Sequence, residues 1–211
     1  MPEETRKEEL IFANFDILTL LTITEQNNWK SLRETSLGRI IYLASVLYKF
    51  MFHDNKNIFS DNYTFSFDET GPYSDVIRKS LLHLETNEFI ERDGLNLKLS
   101  DSKKVNKPIS EEENLRKKWL EIIMNLLSSY GEGKIYDFVI RDPLYQDSFK
   151  RNTPKNIQID YDNLTLKNLN SFKDTFEKSL GDKSQKITPN KYLELYFEFI
   201  FGKVLRGEID V

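Results

Sequence analysis

Residues 65–100 read FSFDETGPYSDVIRKSLLHLETNEFIERDGLNLKLS, and their order decides the fold. Tyr63, Phe65 and Phe67 alternate with Thr64, Ser66 and Asp68, which predicts a half-buried strand, because successive side chains of a strand face opposite ways. Gly71-Pro72 stops that run. Pro72, which lacks an N–H, suits the start of a helix. Ile77, Leu81 and Leu84 then share one helical face. Phe89–Glu91 and Leu95–Leu99 can pair across Arg92-Asp93-Gly94, since Asp-Gly favours the positive φ of a tight hairpin. Strand, helix and hairpin in this order describe a winged helix. Tyr73 is expected to turn its ring inward, and Ser74 or the turn backbone to satisfy the free N–H groups of the next helix.

Upstream, helical spacing dominates. Leu10–Glu25 is mostly apolar, with Thr5 and Glu8 as a capping box ahead of it. Ser31 and Glu34 suggest a second box. Leu37, Ile40, Ile41, Ala44, Leu47, Tyr48 and Met51 fall on one face, and Tyr42, Leu43, Val46 and Phe50 fill much of the rest. A helix so apolar belongs at the centre of the molecule. Asp54–Asp61 reads as a polar loop.

Downstream, Asp101–Pro108 is polar and lysine-rich and reads as a linker. It divides the chain into a winged-helix domain, 1–107, and a helical domain, 108–211. Ser110 and Glu113 form a capping box, and Leu115, Trp119, Ile122, Ile123 and Leu126 form its stripe. Asp142-Pro143 interrupts a short helix, because the residue before proline is pushed out of the α region. Leu166–Leu180 is a further helix, closed by Gly181. The last begins with Thr188 as cap and Pro189 in its first position. The expected fold is mainly α with a small β-hairpin.

Composition narrows the function. The 211 residues carry 30 basic and 34 acidic side chains, a net charge of -4, which predicts no general attraction to phosphate or anionic lipid. Cysteine is absent, which removes disulfides, thiolate metal sites and a cysteine nucleophile. His53 and His83 stand alone, too few for a zinc site, and no glycine-rich loop matches a nucleotide fingerprint. No nucleophile, base and orienting group assemble, so neither an enzyme nor a cofactor is expected. Met1–Glu9 has no apolar signal core and charges break every apolar run, so a cytoplasmic chain without a membrane span is expected. The sequons at Asn62 and Asn163 are read as chance.

The winged-helix stretch Tyr63–Leu99 holds seven acidic and four basic residues, a net of -3. Arg78 and Lys79 are its candidate DNA contacts. Phosphate neutralisation supplies most non-specific affinity for DNA, so this surface is a poor autonomous reader. Partner binding fits better. In Tyr192–Leu205, Tyr192, Leu195, Tyr196 and Phe199 lie on one side, and Leu193, Phe197, Ile200, Phe201 and Val204 toward the other. Such a helix is either the core of the second unit or a protein interface on one face. The hairpin residues Arg92, Asp93 and Leu95 are the other candidate contacts.

Three segments carry a family resemblance: LGRIIYL at 37–43, FDETGPYS at 67–74 and LHLETNEFI at 82–90. Together they resemble bacterial winged-helix proteins with a Gly-Pro-Tyr-Ser signature, here Gly71, Pro72, Tyr73 and Ser74. Among these the chain looks most like the middle component of ABC-three-component systems, including Lamassu-type antiphage defence. The resemblance covers the first half; KIYDFVIRDPLYQ at 134–146 and the last helix are similar in character only. It implies a non-enzymatic adaptor between an SMC- or Rad50-like ATPase subunit and an effector that often carries a nuclease, with DNA met mainly through the complex. Relatives often have a lysine soon after the glycine of LGRII, where Arg39 stands here. A DNA-binding transcriptional regulator and an antitoxin-like neutraliser are the alternatives.

Overall fold

A computed structural model describes residues 3–68, 70–100, 110–150, 156–181 and 187–206. Asp101–Pro108, the expected linker, lies outside them. Helix α1, Glu3–Gln26, leads to a two-residue strand β1, Leu32–Arg33, and the central helix α2, Glu34–Met51. A short helix α3, Ile58–Asn62, and two short strands, β2, Ser66–Asp68, and β3, Gly71–Tyr73, precede helix α4, Asp75–Thr86. Strands β4, Ile90–Asp93, and β5, Asn96–Leu99, close the first half. The sheet order is β1-β5-β4, antiparallel throughout, with Leu32 opposite Leu97 and Arg92 opposite Leu97 from the other side. Helix, strand, two helices and a hairpin that pairs back onto the first strand is the winged-helix arrangement. Helix α3 and the β2–β3 hairpin are inserted between its second and third helices.

Local chemistry explains most boundaries. Gly94 takes φ 59° and supplies the turn between Asp93 and Asn96. The Ser110 hydroxyl accepts from the Glu113 N–H at 3.1 Å, while Ser110 N–H donates back to the Glu113 carboxylate at 3.2 Å, so the expected capping box starts helix α5, Glu111–Ser128. Asp142 separates α6, Glu132–Ile140, from α7, Pro143–Lys150. Gly181 closes α8, Leu164–Leu180, and Thr188 caps α9, Pro189–Arg206.

Four local expectations are corrected. Thr5 lies inside α1, which begins at Glu3, and so is not at its N-terminal boundary. Ser31 does not cap α2: Leu32 and Arg33 pair with β5 instead, and extended Arg33 is the N-cap, without a side-chain bond. The loop at 54–61 contains the start of α3, because the Asn57 side chain accepts from the N–H groups of Phe59 and Ser60. Pro72 is not in a helix; it sits in β3 opposite Phe67, and the helix waits until Asp75.

Helix α2 is covered on nearly every side, with Leu37, Ile40 to Leu47 and Tyr48 all buried. It packs against α5, α6 and α8, and one apolar cluster runs from Ile17 and Leu47 to Trp119, Val139 and Phe197. The two halves of the sequence therefore share a core. Two buried carboxylates bind them together. Asp16 on α1 pairs with Arg116 on α5 at 2.7 Å and accepts from the Tyr63 hydroxyl at 2.8 Å. Asp142 accepts from Tyr42 at 2.6 Å, from Thr165 at 2.5 Å and from the Tyr145 N–H at 3.0 Å. Trp119 donates to the Ala44 carbonyl, and Asn163 to that of Val46. Both sequon asparagines, Asn62 and Asn163, are buried.

Candidate partner-docking surface

The Gly-Pro-Tyr-Ser stretch and the LGR stretch turn out to be one assembly. Gly38 on α2 lies under the Pro72 carbonyl, and the Arg39 side chain passes Gly71 to donate to the Thr70 carbonyl. Its guanidinium sits 4.6 Å from the centre of the Tyr136 ring. Burial lowers the Arg39 pKa from its ordinary value. Gly71 holds φ 124°, where a side chain is strained, and a Cβ there would stand 3.1 Å from Arg39 Nε. Gly71→Ala is accordingly expected to cost about 1–3 kcal/mol in urea unfolding. An unchanged midpoint would mean that the hairpin relaxes freely.

Tyr73 does not turn inward. Its side chain is 37% exposed and its hydroxyl meets the Asp75 carboxylate at 3.0 Å. In β3 Gly71 and Pro72 are buried and Tyr73 is exposed. Ser74 is the N-cap of α4, but its buried hydroxyl makes no capping bond; only its carbonyl serves the helix, accepting from Arg78 N–H.

Outside this hairpin, α4 and β4 frame an open groove of about 490 Å³. Arg78, Lys79 and Arg92 line it together with Asp75, Glu85 and Glu34, around Leu81 and Leu82. Arg92 is an internal latch: it bonds Glu85 through Nε at 2.8 Å and Glu34 through a terminal nitrogen at 2.6 Å. The hydrogen bond to Glu85, with Glu34 behind it, raises the Arg92 pKa despite partial burial. Three cations thus share the groove with three carboxylates. Leu82 and Leu95 are 66% and 70% exposed, and Asp93 is exposed at the end of β4. Arg78 and Lys79 are exposed on α4, Arg78 within reach of the Tyr73 hydroxyl, which raises its pKa.

Of the α9 candidates, Tyr192 and Tyr196 are buried by the chain itself, against Phe176 and Phe172 of α8. Leu195 is half-buried, and Phe199 is 42% exposed. The opposite side of α9 stacks Phe197 on Phe138 at 4.4 Å and Phe201 on Tyr130 at 3.9 Å. The helix runs through the core of the second half and leaves Phe199 as its outward aromatic.

Sequence reasoning missed both buried carboxylates. Asp16 had a signal, a lone acid within the apolar run at 10–25; Asp142 looked only like a helix break. Every bond they make is to the chain's own groups. His53 and His83 are exposed, and among the described residues no cluster of His, Cys, Asp or Glu could hold a metal. Nor is any described helix long and apolar enough to cross a membrane. Comparison with family models, with curated proteins and with solved structures finds no match.

Proposed function

We propose that the chain is a non-enzymatic adaptor of an antiphage defence complex, docking through its winged helix on an SMC- or Rad50-like ATPase and holding an effector. The observation that carries this reading is the charge balance of the α4–wing groove. There Arg78, Lys79 and Arg92 share the lining with Asp75, Glu85 and Glu34, the last two bonded to Arg92, and exposed Leu82 stands among them, with exposed Leu95 in the turn after β4. A phosphate backbone favours unopposed cations, whereas a mixed polar rim around apolar anchors suits a protein surface. The family resemblance of residues 37–90 supplies the kind of partner. A cytoplasmic location goes with that role.

The test is co-purification with an SMC- or Rad50-like ATPase, which this reading expects to be encoded beside the chain. An interface of about 800 Å² on this chain is expected. Leu95→Asp and Leu82→Asp should abolish co-elution while leaving the unfolding midpoint in place, because both side chains already face solvent. Arg92→Glu should also weaken assembly, by placing a third carboxylate beside Glu34 and Glu85. The isolated chain should bind duplex DNA no better than micromolar at physiological salt. A sequence-specific nanomolar complex in a gel shift, with no co-elution, would replace the adaptor by a transcriptional regulator.

A further inference from the structure

A second opening lies far from the groove in sequence. It is a cleft of about 330 Å³ between the α6–α7 junction and the facing sides of α8 and α9, at the lower end of the range for small-molecule sites, roughly 300–1,000 Å³. Phe172, Tyr196 and Ile200 make apolar walls, and Arg141 and Lys203 are the charged lining residues besides Asp142. The Asp142 carboxylate is fully occupied, with one oxygen taken by Tyr42 and Tyr145 and the other by Thr165. It offers nothing further to a cation. Arg141 is held at one terminal nitrogen by Asp137, through its carbonyl at 3.2 Å and its carboxylate at 3.7 Å. Its Nε is buried and has no acceptor among the described residues. A buried donor left in this state is costly and calls for an acceptor. Lys203 lies over the Phe199 ring at 4.2 Å, at the same cleft.

From this arrangement we infer that the cleft is a binding site for a small carboxylate with a planar apolar body. The body would lie against the wall made by Phe172 and Ile200, where Phe172 is already packed edge-on against Tyr196, and the carboxylate would meet the guanidinium of Arg141 and the ammonium of Lys203. Arginine presents a planar fork that matches a carboxylate, and a charge-assisted bond of this kind is about twice as strong as a neutral one. The chain as a whole is acidic, at -4, so recognition depends on these two cations and not on the general field. The inference stands apart from the adaptor role and is tested on the isolated chain.

Phenylacetate is the probe, and phenylacetamide, of the same shape without the charge, is its control. Both are titrated into the purified full chain and followed by saturation-transfer NMR. Saturable binding of phenylacetate is expected, at least about tenfold tighter than the amide. Lys203→Gln and Arg141→Gln should each weaken phenylacetate about tenfold and leave the amide unaffected. Lys203→Gln should keep the wild-type unfolding midpoint, so that its loss of binding is not a loss of fold. Equal affinity for acid and amide, unchanged affinity in Lys203→Gln, or no saturable binding of phenylacetate would each overturn the site.

Discussion

Arg116→Leu is expected to lower the unfolding free energy by about 3–5 kcal/mol, as removal of one member of a buried ion pair does. Arg116 is almost wholly buried, and Asp16 is entirely so. The guanidinium carbon lies 4.4 Å from the Phe12 ring centre and 4.8 Å from that of Phe59. The remaining donors reach the Ile58 carbonyl at 2.6 Å and Glu112 at 3.0 Å. Burial works against the charge, but Asp16, Tyr63 and Glu112 hold the Arg116 pKa above its ordinary value. Leucine would leave the Asp16 carboxylate in an apolar site with only Tyr63 as partner. Urea unfolding measures the loss, and a change below about 1 kcal/mol would place the pair on the scale of surface salt bridges. Replacing Asp16 by leucine in the same chain should recover much of the loss, because the uncompensated charge then disappears.

The same pair predicts a pH dependence. Burial outweighs Arg116 and Tyr63 and pushes the Asp16 carboxyl from its ordinary 3.8 up to about 6. Between those values the folded chain keeps a proton that the unfolded chain has released. The Asp16 contribution to stability is therefore fully present below about 4 and declines as pH rises to about 6, by up to ~1.4 kcal/mol per pH unit. Asp16→Asn should flatten this part of the stability profile. In Arg116→Leu, with the attraction gone, the decline should extend to higher pH.

What could be read from the sequence was what depends on near neighbours. The apolar periodicity of α2, the Asp93-Gly94 turn, the Ser110–Glu113 box and the Thr188-Pro189 start are all local. Misreadings arose where distant segments compete for the backbone. Leu32 and Arg33 form a strand only because Asn96 and Leu97 lie alongside, so the nearby Ser31 and Glu34 never form their box. Asn57 caps a helix of five residues, too short to show a period. In the candidate groove, the sequence marks Arg92 as a candidate partner contact of the hairpin, and the structure shows it already paired. Its acidic partners come from α2 and α4, which are far from it along the chain or on another element. Tyr73 reads as a core aromatic, but it is exposed and its hydroxyl donates to Asp75 of the next helix.

Asp142 carries the other large expected effect. It sits at the junction of α6 and α7, where Pro143 already forbids a continuous helix, and its side chain gathers groups from three further places: Tyr42 on α2, Thr165 on α8 and the N–H of Tyr145 at the start of α7. Burial raises the Asp142 pKa, while the hydrogen bonds from Thr165, Tyr42 and the backbone oppose that rise. Burial and the neighbouring carboxylate push the Tyr42 hydroxyl well above its usual range, so it remains a donor. Asp142→Ala would leave three buried donors without an acceptor at once, each costing about 1–3 kcal/mol. A total loss of about 3–5 kcal/mol is expected, since the site will relax in part and such terms do not add fully. Asp142→Asn keeps an oxygen for Tyr42 and Tyr145 and can let Thr165 turn its hydroxyl to accept from the amide. It should cost less than half as much as Asp142→Ala. Urea unfolding of Asp142→Ala, Asp142→Asn and Tyr42→Phe at one pH separates these cases. Equal losses in the alanine and asparagine variants would mean that the charge of Asp142, and not its hydrogen bonds, holds α2 to α8.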